Sequence, residues 1–316
     1  MPRVLTVLDD YQRIALRSAD WAPLRDTFDI DVVAEHLEGD ELLERIRATE
    51  VVVAMRERTA FPSELLERLP ALRLLVTTGM RNASIDVDAA RRRGVVVAGT
   101  GSAGNSVAEL TIGMMIALTR NFVEEDASIR AGGWQHSIGP GLAGRTLGVL
   151  GLGRLGVPVA RLAQAFDMRV IAWSRSLTSE RAAEHGVTAV SREELFSLPD
   201  ILTIHLPLTP GTRGLVGRDE FELMREDAYL VNTSRGPIVD ESAMLEALRS
   251  GGIAGAALDV YDLEPLPADH PLRSAPHTLL LPHIGYVSTD NYRAFYGDAV
   301  DDVLAYLSGS PVRVLA

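Results

Sequence analysis

Leu147-Gly148-Val149-Leu150-Gly151-Leu152-Gly153-Arg154-Leu155-Gly156 carries the sharpest structural signal in the chain. An apolar run enters a G-x-G-x-x-G, and a helical segment, Val157 to Phe166, follows it. Each glycine has a separate use in a strand–turn–helix that grips a dinucleotide. Gly151 allows the tight turn, Gly153 lets the backbone approach a pyrophosphate, and Gly156 permits close helix–strand packing. Arg154 and Leu155 lie on the same turn. The helix N-terminus behind them supplies N–H groups and a positive dipole end to an anion. Glycine-rich turns also arise for packing alone, but both flanks here have the pattern that a dinucleotide site requires.

The next apolar run ends at Trp173-Ser174-Arg175-Ser176, with Ser174 lying 18 residues beyond Gly156. Sites that hold NAD place Asp or Glu there for the ribose 2′-hydroxyl. Ser174 and Arg175 instead offer a hydroxyl and a guanidinium, a pair suited to a 2′-phosphate. A solvated arginine at a strand end is the plainer alternative. The balance favours NADP over NAD.

The strand–helix alternation runs through the whole chain. Apolar runs occur at Val4–Leu8, Ile30–Val33, Val51–Ala54, Leu74–Thr77 and Val95–Val97, with amphipathic segments such as Asp40–Arg47 and Ile85–Arg93 between them. A second set follows at Thr146–Leu150, Val170–Trp173, Val187–Val190, Ile201–Leu206, Ala228–Asn232, Ala256–Asp259 and Thr278–Leu281. Ser191 and Glu194 read as a capping box. Continuous apolar runs separated by helices predict parallel sheets covered on both faces. The Gly99–Gly104 stretch reads as a hinge, and Val107–Arg120 after it as a long helix. The expected fold is α/β, with two open parallel-sheet domains and a cleft between them.

Composition removes whole mechanisms. The chain has 316 residues, no cysteine, and 31 basic residues that are all arginine. Thiolate chemistry, cysteine-based metal sites, lysine Schiff bases and a P-loop lysine are therefore excluded. The net charge of −12 speaks against nucleic acid as a partner. Met1 to Asp10 does not read as a signal peptide, and the apolar stretch Ile112–Leu118 is too short to span a bilayer, so a cytoplasmic protein with no membrane partner is expected. No histidine and carboxylate pair shows ligand spacing on a strong helix, so no metal is expected.

Three segments end a strand or lie just past one, where open α/β sheets place ligands. They are Val231-Asn232-Thr233-Ser234-Arg235-Gly236, Asp259-Val260-Tyr261-Asp262-Leu263-Glu264-Pro265, and Leu281-Pro282-His283-Ile284-Gly285. Arg235, Glu264 and His283 together are the set needed to handle a 2-oxo or 2-hydroxy acid. The arginine offers a fork to a carboxylate, the histidine exchanges a proton near neutral pH, and the glutamate orients the histidine. Taken singly, each has a plain reading as a surface ion pair, a turn residue or a strand-end histidine. The remaining six histidines lack comparable context.

Nearly the whole chain resembles the D-isomer-specific 2-hydroxyacid dehydrogenase family. The resemblance is carried by Asn105-Ser106-Val107-Ala108-Glu109, Arg130-Ala131-Gly132-Gly133-Trp134, Gly151 to Gly156, Val231 to Glu241, and Pro282-His283-Ile284-Gly285, in that order. It implies a Rossmann cofactor domain, residues 102–287, inserted into a flavodoxin-like substrate domain of residues 1–101 and 288–316. The Asn291–Leu307 segment would then complete the first domain. The resemblance also implies roles. Arg235 would bind substrate, His283 would be the acid/base and Glu264 would buttress it. Asp259 would touch the nicotinamide carboxamide, while Leu206, Pro207, Thr212, Thr233 and Gly285 would line the cofactor path. A homodimer through the Val107–Trp134 region is implied as well.

The family cradles substrate carboxylate in a Gly-x-Gly-x-Asp loop, and here the chain departs from the pattern. It reads Thr78-Gly79-Met80-Arg81-Asn82-Ala83-Ser84-Ile85-Asp86, with Arg81 in the place of the second glycine and Ala83 in that of the Asp. Arg81 either adds a cation for a larger or doubly anionic substrate or points outward, leaving its N–H in use beside Met80. Arg56 is a further candidate anion contact. The expected function is hydride transfer between NAD(P)H and a small 2-oxo or 2-hydroxy acid, as in a glyoxylate/hydroxypyruvate reductase. A phosphoglycerate dehydrogenase is the alternative within the class, and the end at Ala316 sets the expectation of no C-terminal regulatory domain. From another class, a non-catalytic NAD(H)-sensing protein akin to the corepressors on this fold is the competing reading.

Overall fold

The valine and leucine runs become parallel strands, which the computed structural model, describing residues 3–315, arranges in two sheets. Met1, Pro2 and Ala316, which the expected first domain includes, lie outside the described residues. One compact unit joins the chain up to Gly104 with the chain from Val287 onward, and the other is Asn105–Tyr286. The divisions fall at 104/105 and 286/287, against the expected 101/102 and 287/288.

In the first unit β1 (Arg3–Val7), β2 (Phe28–Val32), β3 (Val51–Ala54), β4 (Leu74–Thr77) and β5 (Val96–Gly99) pair in the order β2-β1-β3-β4-β5. This is the flavodoxin-type order, which reverses direction between β1 and β3. Both β3 and β4 are buried along their whole length, as strands covered on two faces must be. The last helix, Thr289–Leu307, belongs to this unit and buries Tyr292, Phe295, Tyr296, Ala299, Val300 and Val303 at helical spacing. The ring of Tyr296 lies 6.1 Å from that of Trp21.

Beyond this helix the chain returns to the free edge of β5. Gly99 N donates to Arg313 O at 3.0 Å, Leu315 N donates to Val97 O at 2.8 Å, and Val314 forms an antiparallel bridge with Ala98. Arg313 Nε donates to Oδ1 of the buried Asp302 at 3.0 Å. Asp302 Oδ2 has no hydrogen-bond partner. Burial pushes the Asp302 carboxyl up to about 7, with Arg313 opposing the shift.

The second unit contains β6 (Thr146–Leu150), β7 (Arg169–Trp173), β8 (Thr188–Ala189), β9 (Ile201–Ile204), β10 (Tyr229–Asn232), β11 (Gly255–Leu258) and β12 (Thr278–Leu280). Their order is β12-β11-β10-β9-β6-β7-β8, all pairs parallel, so β6 is the strand from which the sheet grows both ways. This is the Rossmann arrangement. Side chains of β6 alternate between two cores. Leu147 and Val149 join Ala108, Met115, Val159 and Ala163, whereas Leu150 joins Phe196, Leu230 and Leu258.

Local chemistry trims several expected elements. The capping box forms, with Glu194 N donating to Ser191 Oγ at 3.1 Å and Ser191 N donating to Glu194 Oε2 at 2.9 Å. The helix expected over Ile85–Arg93 runs Val87–Arg92, because the Asp86 carboxylate accepts the Ala89 N–H and sets the start. The long helix is Ser106–Thr119, after which Asn121, at φ 51°, turns the chain into a separate helix, Phe122–Arg130. Among the described residues no helix is long and apolar enough to cross a membrane. No group of three or more histidine or acidic side chains among them could hold a metal ion.

Candidate active site

The glycine turn sits where β6 ends. Gly151 has φ +103°, and a Cβ there would meet His205 carbonyl atoms at 3.0 Å and Leu206 Cδ2 at 2.9 Å. Gly156 starts the next helix, and a Cβ on it would fall 2.2 Å from Gly151 O. Gly153 differs, because a Cβ there would meet nothing within 4 Å. Two of the glycines thus serve the protein's own packing, while the third leaves open space facing outward. Arg154 is exposed and Leu155 half-buried on the same turn. A tight turn, an open backbone face and a helix N-terminus fit a dinucleotide pyrophosphate.

The flanking residues follow at neighbouring strand ends. Ser174 is half-buried past β7, and the exposed Arg175 donates from Nη2 to Gly211 O at 3.3 Å, tethering it to the 209–213 loop. In that loop Thr212 donates to Pro207 O at 2.7 Å and accepts the Thr209 N–H at 2.8 Å. Past β9, Nε2 of His205 lies 3.0 Å from Thr203 Oγ1, and Nδ1 is buried with no partner. Burial pushes this imidazole down to about 4, so it stays neutral at ordinary pH. Thr233 is buried, its hydroxyl 3.0 Å from that of Thr111.

Arg235, Glu264 and His283 come from the ends of β10, β11 and β12, three adjacent strands. The structure joins two of them directly. His283 Nδ1 lies 2.6 Å from Glu264 Oε2. Glu264 Oε1 accepts the Tyr261 N–H at 2.9 Å, which fixes the carboxylate plane. An ionised carboxylate only accepts, so Nδ1 carries the proton and Nε2 is the nitrogen left for exchange with a substrate. His283 itself has φ +53°, and the edge of Tyr286 meets its ring at 5.5 Å between centroids.

Arg235 is half-buried and donates from Nη1 to Ser234 O at 2.7 Å. Asn232 shapes its loop, donating to Arg235 O at 3.1 Å and accepting the Ser234 N–H at 3.0 Å, while Ser234 Oγ donates to Leu206 O. A Cβ at Gly236 would lie 2.1 Å from the Tyr261 carbonyl carbon, so only glycine lets this loop touch the next one. Asp259 is buried and accepts Ile284 N–H at 2.7 Å and Gly285 N–H at 2.8 Å. Burial pushes its carboxyl above the ordinary range, opposed by these two N–H bonds. The main-chain bonds of Asn232 and Asp259 are not readable from sequence, because a residue's place in a motif does not say which backbone groups its side chain meets.

In the first unit the Thr78–Ser84 loop is held from within. Gly79, at φ +90°, donates its N–H to Thr100 Oγ1 at 2.8 Å, and the Arg56 guanidinium covers the space a Cβ would need. Arg56 donates from Nη1 to Thr78 O at 3.0 Å and pairs with Glu57 at 3.5 Å. Asn82, absent from the sequence-based candidates, donates to Arg56 O at 2.6 Å and Thr77 Oγ1 at 2.8 Å. It braces the loop against the end of β4 and the Arg56 backbone. Met80 and Arg81 are both exposed at the tip.

Residues 112–285 match the family described as D-isomer specific 2-hydroxyacid dehydrogenase, NAD binding domain. A glyoxylate reductase of Aeropyrum pernix is 40% identical over 256 residues, 78% of this chain and 76% of that protein. A D-3-phosphoglycerate dehydrogenase of Methanocaldococcus jannaschii is 39% identical over 266 residues, 83% of this chain and 50% of that protein. The chain thus spans about half the length of the phosphoglycerate dehydrogenases it matches. Among solved structures, a phosphoglycerate oxidoreductase of Vibrio cholerae superposes with a TM-score of 0.92 at 32% identity, covering 97% of this chain and 99% of that one.

Proposed function

The chain belongs to the D-isomer specific 2-hydroxyacid dehydrogenase family, and on that premise we propose that it reduces a small 2-oxo acid, glyoxylate or hydroxypyruvate, with NADPH. The observation that carries the reading is the pair formed by His283 and Glu264, set one strand from Arg235 and in the same unit as the Gly151–Gly156 turn. A nicotinamide cofactor supplies the hydride that the 2-oxo carbon accepts. The protein supplies everything else. Arg235 holds the substrate carboxylate and carbonyl oxygen through paired N–H donors, and His283 Nε2 gives its proton to that oxygen. Glu264 steadies the imidazolium before transfer and holds the ring afterwards. Gly153, Arg154, Leu155 and the start of the helix hold the pyrophosphate, with Leu206, Pro207, Thr212, Thr233, Asp259 and Gly285 lining the remainder of the cofactor path. Among first-unit residues, the Met80–Arg81 N–H groups and the Arg56 guanidinium are the proposed anion contacts.

NADPH is chosen because Ser174 and Arg175 stand where an acidic residue would otherwise meet the ribose, and Arg175 is tethered rather than loose. A homodimer is supported by the apolar side chains left exposed on and after the Phe122–Arg130 helix, with Trp134 at 74% and Ile138 fully exposed. The deciding experiment is a steady-state panel of glyoxylate, hydroxypyruvate and 3-phosphohydroxypyruvate with NADH and NADPH. Turnover of glyoxylate or hydroxypyruvate with NADPH supports the reading. Exclusive use of the phosphorylated acid replaces it with the phosphoglycerate dehydrogenase alternative, and no turnover on any acid overturns it.

A further inference from the structure

The amino ends of the second sheet, opposite to the strand ends that carry Arg235, Glu264 and His283, hold a cavity of about 440 Å³. Arg145, Arg169 and Arg225 line it around the single carboxylate of Asp200. Asp200 is already committed to structure. Its Oδ2 accepts the Thr146 N–H at 2.7 Å and its Oδ1 accepts Arg145 Nη1 at 3.0 Å, tying the starts of β6 and β9 together. Arg225 approaches the same carboxylate at 3.7 Å and forms a two-pronged pair with Asp227 at 2.8 Å.

Three guanidiniums against two carboxylates leaves one positive charge over, and the residue that carries it is Arg169. Its side chain is exposed and makes no hydrogen bond or ion pair among the described residues. In a chain of net charge −12 this notch is a local reversal of sign.

A second cavity of about 440 Å³ adjoins the first, and the two share Thr146, Arg169 and Leu198. Its walls include Met168, Val170 and Ile171, so it is the more apolar of the two. Leu198, at 49% exposed, lies in both walls, leaving an aliphatic side chain partly in water beside an unmatched cation. A purely structural account explains Asp200 and its two arginines. It leaves Arg169 and the apolar chamber unexplained.

We propose that these joined cavities bind a small amphiphilic anion, with a carboxylate or phosphate head on Arg169 and a short aliphatic body in the Met168–Ile171 chamber. The head replaces the missing counter-charge, and the body covers Leu198 and the chamber wall. The site lies wholly within one unit and involves none of the residues assigned to cofactor or oxo acid.

The test is calorimetric titration of the full chain with octanoate and with octyl phosphate below their micellar concentrations, using octanol and inorganic phosphate as half-ligands. One saturable site per chain for either amphiphile, tighter than for both half-ligands, is the expected result. Arg169→Glu and Leu198→Asp should each weaken it by about tenfold or more, with the NADPH titration unchanged in both variants. Tighter octanoate identifies a free carboxylate as the head, and tighter octyl phosphate identifies a phosphate ester. Octanol binding as tightly as the anions, unaltered affinity in either variant, or no saturable binding would each overturn the proposal.

Discussion

Asp259 Oδ2 accepts the backbone N–H of Gly285 at 2.8 Å across 26 residues of sequence, and its other oxygen takes the N–H of Ile284. The turn that presents His283 in a left-handed backbone conformation is therefore fastened by a buried carboxylate on the neighbouring strand. Asn at position 259 can accept only one of the two N–H groups and turns its own donors toward the other. Asp259→Asn should lose about 1–3 kcal/mol of stability, the cost of an unpaired buried donor, and should lower kcat. Chemical denaturation and steady-state kinetics check both effects, and a variant with wild-type stability would contradict the fastening.

The Glu264–His283 bond makes separate demands on each partner. His283→Ala removes the proton donor and should reduce kcat with glyoxylate by about 10²–10⁴-fold, while NADPH binding by fluorescence titration stays near normal. Glu264→Gln keeps a hydrogen bond yet withdraws the charge that steadies the imidazolium. A smaller loss of kcat is expected there. Near-normal turnover in His283→Ala would remove the acid/base assignment.

Two glycines of one turn should fail differently. A Cβ at Gly156 meets Gly151 O at 2.2 Å, so Gly156→Ala should lower the melting temperature of the protein with or without cofactor. A Cβ at Gly153 meets nothing, so Gly153→Ala should melt normally and lose cofactor affinity by about tenfold or more, because the lost space belonged to the ligand. Equal melting temperatures for the two variants would contradict this division.

Two buried groups give the pH dependence of stability opposite slopes. His205 falls from its ordinary 6.5 to about 4, so its contribution is complete above pH 6.5 and lost as the pH drops toward 4. About 3 kcal/mol is at stake over that span at ~1.4 kcal/mol per unit. Asp302 rises from 3.8 to about 7, so the folded state holds a proton the unfolded chain has released, and stability declines as pH climbs between those values. The slopes partly cancel in the native protein. His205→Asn should therefore flatten the acid limb, and Asp302→Asn should flatten the decline toward pH 7, in denaturation series from pH 4 to 8.

Arg175 tests the choice of cofactor. Arg175→Ala should raise KM for NADPH by about tenfold, the loss of one charge-assisted contact of roughly 1.4 kcal/mol, and leave that for NADH nearly unchanged. Equal effects on both would show that the side chain serves only its Gly211 tether.

Much of the second unit was legible because its signals are local. Gly151–Gly156 lies within one turn, the Ser191 capping box within four residues, and the apolar runs within single strands. Arg235, Glu264 and His283 were readable as strand-end residues because each lies a few residues past the end of an apolar run. What escaped depends on partners distant in sequence. Asp259 reads as a cofactor contact by resemblance, and its hold on the N–H groups of residues 284 and 285 exists only once they are folded against it. Asn82 reads as a loop polar residue until Arg56 and Thr77 surround its amide. The split at Asn121 escaped for another reason, since asparagine enters the left-handed region more readily than other non-glycine residues but is not confined to it, and so marks a helix end less sharply than glycine.

The strand-like return at Arg313–Leu315 has a consequence for the order in which the protein is made. Asn105–Tyr286 is continuous and can close its sheet as soon as it leaves the ribosome. The first unit is translated earlier but is completed later. Until Thr289–Leu307 and the tail behind it emerge, the edge of β5 is unpaired and the partners of Tyr292, Tyr296 and Arg313 are uncovered. The half of the chain that is born first is thus the half that waits longest, and a stalled ribosome would hold out an open sheet edge for chaperones to shield.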